Sequence, residues 1–277
     1  MLSRRRALVT GAGRGIGRAT AKLLASHGAV VMVNDLDSEA CQETVTEIRQ
    51  AGGSAEACAL NLLDTDAAPQ LIDTTIATLG GLDILVNNAG YVWNGAMHNH
   101  TDEQWQAMLE MHASVPFRLL RAYHGWLKRE VAQERAQLEN TRDIRLPCRK
   151  VVNISSVSGT EGAATQIAYS AGKAAVVGMT KTLAKEWGRL NVTVNAVAFG
   201  YIDTRLTQVY EDQPPTIDVD GQAFKVGVAK PQVAAMQSQT PLGRIGDPED
   251  AAGAIFMFCI PASDFVTGQV LTCSGGL

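Results

Sequence analysis

Short apolar runs alternate with helix-period segments along the whole chain, and this alternation narrows the possible folds more than any other feature. Residues 7–10 read as a buried strand. A glycine-rich turn follows, then a helix with Ile16, Ala19, Leu23 and Leu24 on one face that stops at Gly28. Residues 30–33 read as a second strand, and Ser38 is a candidate cap for a helix ending at Gly52 and Gly53. Further strands are predicted at 55–60, 82–86, 151–154, 192–197 and 270–272. Thr101 with Gln104 forms a capping-box pattern ahead of a long helix. Residues 166–187 are apolar on much of their circumference and predict a well-buried helix. Asp247 and Pro248 open another helix, with a cap and a proline in its first turn. Continuous apolar strands alternating with helices predict an α/β fold. The expectation is a single-domain, doubly wound (Rossmann) seven-stranded parallel sheet over residues 1–277, with helices on both faces.

Two stretches stand outside this rhythm. Residues 128–145 are dense in charges of both signs and read as a solvated extension of the long helix followed by a surface loop. Residues 205–240 are long and irregular. They carry Pro214, Pro215, Gly221 and Gly227, but also Val209, Tyr210, Ile217, Phe224 and Val226. That is too apolar for a plain surface loop, and a substrate lid is the expectation.

With 277 residues, 46% of them hydrophobic, the chain can offset its conformational entropy by burial. A formal net charge of −4 argues against nucleic acid or an anionic membrane as the main partner. The five cysteines lie far apart without a CxxC pair, so neither a disulfide framework nor a metal site is expected. The apolar run after the N-terminal basic residues is too short for a signal segment, and a cytoplasmic location is expected.

Two motifs carry chemistry. In the first, Gly11, Gly13, Arg14, Gly15, Ile16 and Gly17 lie between a strand and a helix. Glycines there allow a tight turn and let a pyrophosphate approach the amides at the helix N-terminus. Asp35 closes the next strand, eighteen residues after Gly17. Its carboxylate there would accept hydrogen bonds from an adenosine ribose and repel a 2′-phosphate, which favours NAD over NADP. Arg14 pulls the other way, because a guanidinium could reach that phosphate. Asp35 could also simply cap a loop.

In the second, Tyr169 and Lys173 lie four apart on one helix face. A tyrosine of pKa about 10 exchanges protons poorly at neutral pH, and a neighbouring ammonium would lower that value. Ser156 lies at the end of the fifth strand, where ligand crevices open in such sheets. It could equally be a turn or helix-capping hydroxyl.

Together with Asn87, Asn88, Ala89 and Gly90 after the fourth strand, these motifs resemble the short-chain dehydrogenase/reductase family. The segments 241–250 and 266–270 resemble its 3-oxoacyl-(acyl-carrier-protein) reductase-like members. The resemblance implies that Tyr169 is the general acid/base, that Ser156 holds the substrate oxygen, and that Lys173 binds the nicotinamide ribose and depresses the Tyr169 pKa. It implies cofactor contacts from Asn88, Ala89 and Gly90, from Asn61 and Leu62 around adenine, and from Gly200, Ile202 and Thr204 around the nicotinamide. Two positions depart from the family. His112 stands where an asparagine is usual. It is either a titrating member of a proton relay or a packed substitute whose main-chain carbonyl still holds a water. Phe199 replaces the usual proline before Gly200, which would loosen that turn.

The function so implied is NAD(P)(H)-dependent interconversion of a secondary alcohol and a ketone. The substrate is a small molecule, free or thioester-linked, with 3-oxoacyl thioesters first. A hydroxysteroid, cyclic alcohol or sugar alcohol is the alternative, and a non-catalytic cofactor-binding regulator is the reading from another class. A homotetramer is the expected assembly. Trp93, Tyr201 and Tyr210 are candidate cleft aromatics. Arg118, Arg121, Lys128 and Arg129 are candidates for a basic patch at the cleft mouth. His98 and His100 lack further ligands at useful spacing.

Overall fold

The computed structural model describes residues 1–138, 146–219 and 221–277. The chain begins β1 (Arg6–Thr10), α1 (Gly15–Ser26), β2 (Val30–Asp35), α2 (Ser38–Gln50), β3 (Ser54–Ala59), α3 (Ala67–Leu79) and β4 (Ile84–Asn87). It continues with α4 (Asp102–Leu109), α5 (Val115–Leu138), β5 (Arg149–Ser156), α6 (Val157–Thr160), α7 (Ile167–Trp187) and β6 (Val192–Phe199). The 205–240 region then folds into β7 (Val209–Tyr210), β8 (Thr216–Val219), β9 (Gln222–Lys225), β10 (Val228–Ala229) and α8 (Lys230–Gln239). It is followed by α9 (Pro248–Cys259) and β11 (Val270–Cys273).

Seven strands form one sheet in the order β11-β6-β5-β4-β1-β2-β3, and every pairing in it is parallel. The chain winds outward from β1 to β3, then returns to place β4 on the other side of β1. A crevice therefore opens beyond the C-terminal ends of β1 and β4. Successive strand residues point to opposite faces and feed two cores. Leu8, Met32, Leu85, Val151 and Val194 face one layer, which includes α3 and α5. Val9, Val31, Val86, Val152 and Val197 face the other, where α1 and α9 pack together. The doubly wound sheet is as the alternation predicts.

Several local expectations need correction. Asp37, not Ser38, caps α2, accepting the Ala40 N–H at 3.1 Å. The helix after Thr101 is not continuous: a π-helical turn at Glu110–Ser114 separates α4 from α5, and His112 sits in it. β5 and β6 extend past the predicted ends to Ser156 and Phe199. Residue 199, not being proline, keeps its backbone in the ladder opposite Ser156 and Cys273, so strand replaces the loosened turn. The charged stretch is more than a solvated helix. Glu134 turns inward and binds the guanidinium of Arg149 at 2.6 and 3.0 Å, and that guanidinium also stacks on Trp126. Arg149 is wholly buried, which explains why this helix needs an acid on its inner side. Residues 139–145, where the surface loop is expected, lie outside the described residues. Among the described residues, no helix is long and apolar enough to cross a membrane.

The capping box is realised in full, with Thr101 Oγ1 accepting from Gln104 N at 3.1 Å and Gln104 Oε1 from Thr101 N at 2.9 Å. Thr101→Ala should lower unfolding stability by about 1 kcal/mol in urea titrations, with Thr101→Ser close to wild type.

Candidate active site

A single cleft of about 890 Å³ runs across the C-terminal ends of the strands. It brings together Gly11, Arg14, Gly15, Ile16, Gly17, Asp35, Asn61, Leu62, Asn88, Ala89, Gly90, His112, Ser156, Tyr169, Lys173, Gly200, Ile202 and Thr204. Gly13 alone of the residues expected to bind cofactor or act in the reaction does not line it. Its N–H instead donates to Asp35 Oδ2 at 2.9 Å, and a Cβ there would press on Ala40 and on that carboxylate.

One end of the cleft is built for an anion. Gly11 and Gly15 have φ of +61° and +51°, which favours glycine. A Cβ on Gly17 would lie 2.1 Å from the Gly11 carbonyl oxygen. No side chain caps α1, and its first turn holds no acid, so its leading amides face the cleft unshielded. The loop is tied to the end of β4: Asn88 Nδ2 donates to the carbonyls of Thr10 and Gly11, and Thr10 Oγ1 accepts from the amides of Asn88 and Ala89. Asp35 Oδ1 accepts from the Asp37 amide at 3.2 Å. Arg14 is drawn to Asp37, with Nη2 2.7 Å from its Oδ2. These features fit a dinucleotide: amides for the pyrophosphate, and a carboxylate where the ribose hydroxyls would lie.

The other end gathers Ser156, Tyr169 and Lys173. Ser156 ends β5 and caps α6; its Oγ accepts from Ser158 N at 3.1 Å. Tyr169 and Lys173 project from α7 one turn apart. Lys173 is buried, and its Nζ donates to the Ile154 carbonyl at 2.8 Å while lying 5.7 Å from the centre of the Tyr169 ring. Burial pushes Lys173 down to about 7. Burial pushes Tyr169 up to about 12, with the Ser156 hydroxyl working against it. In this geometry burial outweighs the Ser156 hydrogen bond, so Tyr169 stands above its ordinary value.

His112 is buried between two glycines. A Cβ on Gly90 or Gly172 would strike its ring or its Cβ, at 2.6 and 2.8 Å. The ring meets Tyr169 edge-on at 4.9 Å, and Nε2 lies 2.6 Å from the Tyr91 carbonyl. Burial, and then the Lys173 charge, hold its pKa well below the ordinary histidine range. The imidazole is therefore neutral, with the proton on Nε2 as the donor to Tyr91. That tight fit between Gly90 and Gly172 is what the packed reading of His112 requires.

Of the candidate aromatics, Tyr201 lines the cleft and donates to the Thr207 carbonyl, whereas Trp93 packs behind the wall and Tyr210 lies off it. Arg118, Arg121, Lys128 and Arg129 are not on the cleft: Arg118 pairs with Glu110, and Arg121 lies over Phe117. No cluster of three or more potential metal ligands occurs among the described residues. Sequence reasoning missed Tyr91, Met111, Ser158, Gln166 and Met236, which also line the cleft. Ser158 and Gln166 join at 2.8 Å across the α6–α7 connection. Only their nearness to Ser156 and Tyr169 could have signalled them.

A crevice at the strand-order reversal, with an uncapped helix N-terminus at one end and a Ser-Tyr-Lys set at the other, defines a nucleotide-dependent oxidoreductase. Comparison with known proteins narrows this. The family model described as enoyl-(acyl carrier protein) reductase matches residues 11–277. A 3-oxoacyl-[acyl-carrier-protein] reductase from Synechocystis is 36% identical over 98% of this chain and 96% of its own. The (2S)-[(R)-hydroxy(phenyl)methyl]succinyl-CoA dehydrogenase subunit BbsD of Thauera aromatica is 34% identical over 99% and 97%. A crystal structure from Beutenbergia cavernae, described as an NAD(P) dependent gluconate 5-dehydrogenase with bound NADP, superposes with a TM-score of 0.80. It is 31% identical, covering 99% of this chain and 97% of that one. The chain belongs to the short-chain dehydrogenase/reductase family and is an NAD(P)-dependent oxidoreductase.

The buried Lys173 has a thermodynamic signature. Its ordinary value is 10.5 and burial takes it to about 7, so across that interval the unfolded chain binds more protons than the folded one. Wild-type stability should therefore rise with pH through this window, and below it the full cost of a buried ammonium applies. Lys173→Met should lose that rise, as read from urea unfolding at a series of pH values.

Proposed function

We propose that the protein interconverts a 3-oxoacyl thioester and its 3-hydroxyacyl counterpart. The observation that carries this reading is the convergence of Ser156, Tyr169 and Lys173 in the cleft that also holds the uncapped N-terminus of α1. The relatives from Synechocystis and Thauera aromatica carry thioester substrates in their names, which supports the substrate class. A nicotinamide dinucleotide, when bound, supplies or accepts the hydride.

The chain's own residues do the rest. Ser156 Oγ, fixed by the Ser158 amide, holds the substrate oxygen. The Tyr169 hydroxyl exchanges the proton with that oxygen. Such donors, already in position, act on charge as it develops and need no rearrangement. Lys173, anchored on the Ile154 carbonyl, offers its remaining donors toward the ribose. His112 keeps Tyr169 in place by filling the space beside Gly90 and Gly172. Leu206, Ile217 and Met236, from the 205–240 region, make it the lid over the substrate end. The intact catalytic set argues against a non-catalytic regulator.

We also infer a preference for NAD. The Asp35 carboxylate is held by two amides at the end of β2, and Arg14, the nearby cation, is engaged by Asp37. A 2′-phosphate would meet that carboxylate without a free guanidinium to offset it. Exposed Trp105, Phe117 and Ile167 on α4, α5 and α7 are suited to burial between subunits, in keeping with a homotetramer.

Two experiments test this. Tyr169→Phe should cut kcat by about 10²–10⁴-fold while leaving NADH binding unchanged; undiminished turnover of acetoacetyl thioesters would refute the acid/base role. Titration followed by nicotinamide fluorescence should show tighter NADH than NADPH. Asp35→Ser should weaken NADH at least about tenfold and narrow or reverse the preference. Tighter NADPH in the wild type would overturn the cofactor reading.

A further inference from the structure

We propose that Phe224, acting through the ring of Tyr91, determines how large a group the substrate can place beyond its carbonyl. This specificity wall rests on the alcohol–ketone reading above.

The hairpin of β8 and β9 pairs Ile217 directly with Phe224, so both side chains share one face. Burial follows the two-residue period: Ile217, Phe224 and Val226 are buried, while Thr216, Asp218, Ala223 and Lys225 are exposed. A two-stranded hairpin is at best marginally stable alone, so its apolar face must be held by something else. The holding surface is aromatic. The Phe224 ring centre lies 4.9 Å from that of Tyr91, tilted at 48°, and 4.9 Å from that of Trp93, edge-on at 83°.

The layering gives this contact its consequence. Tyr91 and Ile217 line the cleft, whereas Phe224 and Trp93 lie behind them. The Tyr91 backbone cannot retreat, because its carbonyl is bound by His112 at 2.6 Å. Its ring is backed by Phe224, whose ring centre lies 4.9 Å away. The wild-type wall is therefore closed, and the preferred substrates carry a short or compact group on that side.

The test is kcat/KM for a graded series of 3-oxoacyl thioesters, from acetoacetyl to long-chain homologues, with wild type, Phe224→Ala, Phe224→Leu and Tyr91→Leu. Phe224→Ala should raise the long-to-short ratio at least about tenfold, chiefly through KM, since single methylenes in apolar pockets discriminate on that scale. NADH affinity should be unchanged, and Phe224→Leu should fall between wild type and Phe224→Ala. If Phe224→Ala does not fold, Tyr91→Leu must show the same shift. A ratio equal to wild type, or a proportional loss across all lengths, overturns the proposal. A wild type inactive on every thioester but active on cyclic ketones overturns the thioester reading alone. The same ratio is then read on ring size and judges the wall independently.

Discussion

The site depends on the contact between two backbones, the glycine loop after β1 and the start of α1. Gly17 stands so close to the Gly11 carbonyl that no Cβ fits, and Gly11 in turn lies against Ala89. Asn88 fastens the arrangement by donating to two successive loop carbonyls. Because the loop turns this tightly, α1 begins directly beneath the crevice with its amides uncapped. Because Gly13 lies inside the turn, its amide reaches the Asp35 carboxylate and fixes it where a dinucleotide ribose would lie. A bulkier residue at either point would separate the phosphate cradle from the strand ends that carry Ser156.

Charge is treated differently at the two ends of the sheet. At the N-terminal ends of the strands, buried charges are matched. Arg6 binds Asp83, Arg149 binds Glu134, and Lys150 reaches Asp264 at 2.7 Å. At the C-terminal ends, Lys173 has a carbonyl for a partner and no carboxylate, and His112 is kept neutral. Buried ionisable groups without counter-charges lower stability, and such arrangements concentrate where proton transfer must occur. The paired charges and well-filled sheet layers elsewhere let the fold tolerate this cost.

Much of this was legible from residue types. Apolar strand runs, the glycine spacing, the Thr101 and Asp247 caps, and the Tyr169–Lys173 interval are all local signals, and the sheet and the cleft lining follow from them. What was illegible depends on distant partners. Nothing around Glu110–Ser114 marks a π-turn, and His112 within it packs between Gly90 and Gly172, remote in sequence. The inward role of Glu134 needs Arg149 on another element. Asp37 displaced Ser38 as a cap because both residues cap well, and only the path of the chain out of β2 chooses between them. Spacing places Lys173 beside Tyr169, while the burial that raises Tyr169 is a property of the whole site.

The lid shows where these two kinds of information part. The residues proposed for the reaction sit on strand ends and on α7, elements stabilised by the sheet, so residue types and spacing suffice to bring them together. The β8–β9 hairpin pairs with no strand of the central sheet, and its buried face packs through Phe224 between Tyr91 and Trp93. The interaction that keeps this segment folded thus also shapes the wall the substrate meets. Relatives sharing the Ser-Tyr-Lys set can therefore differ in substrate through a few apolar contacts that leave the chemistry untouched.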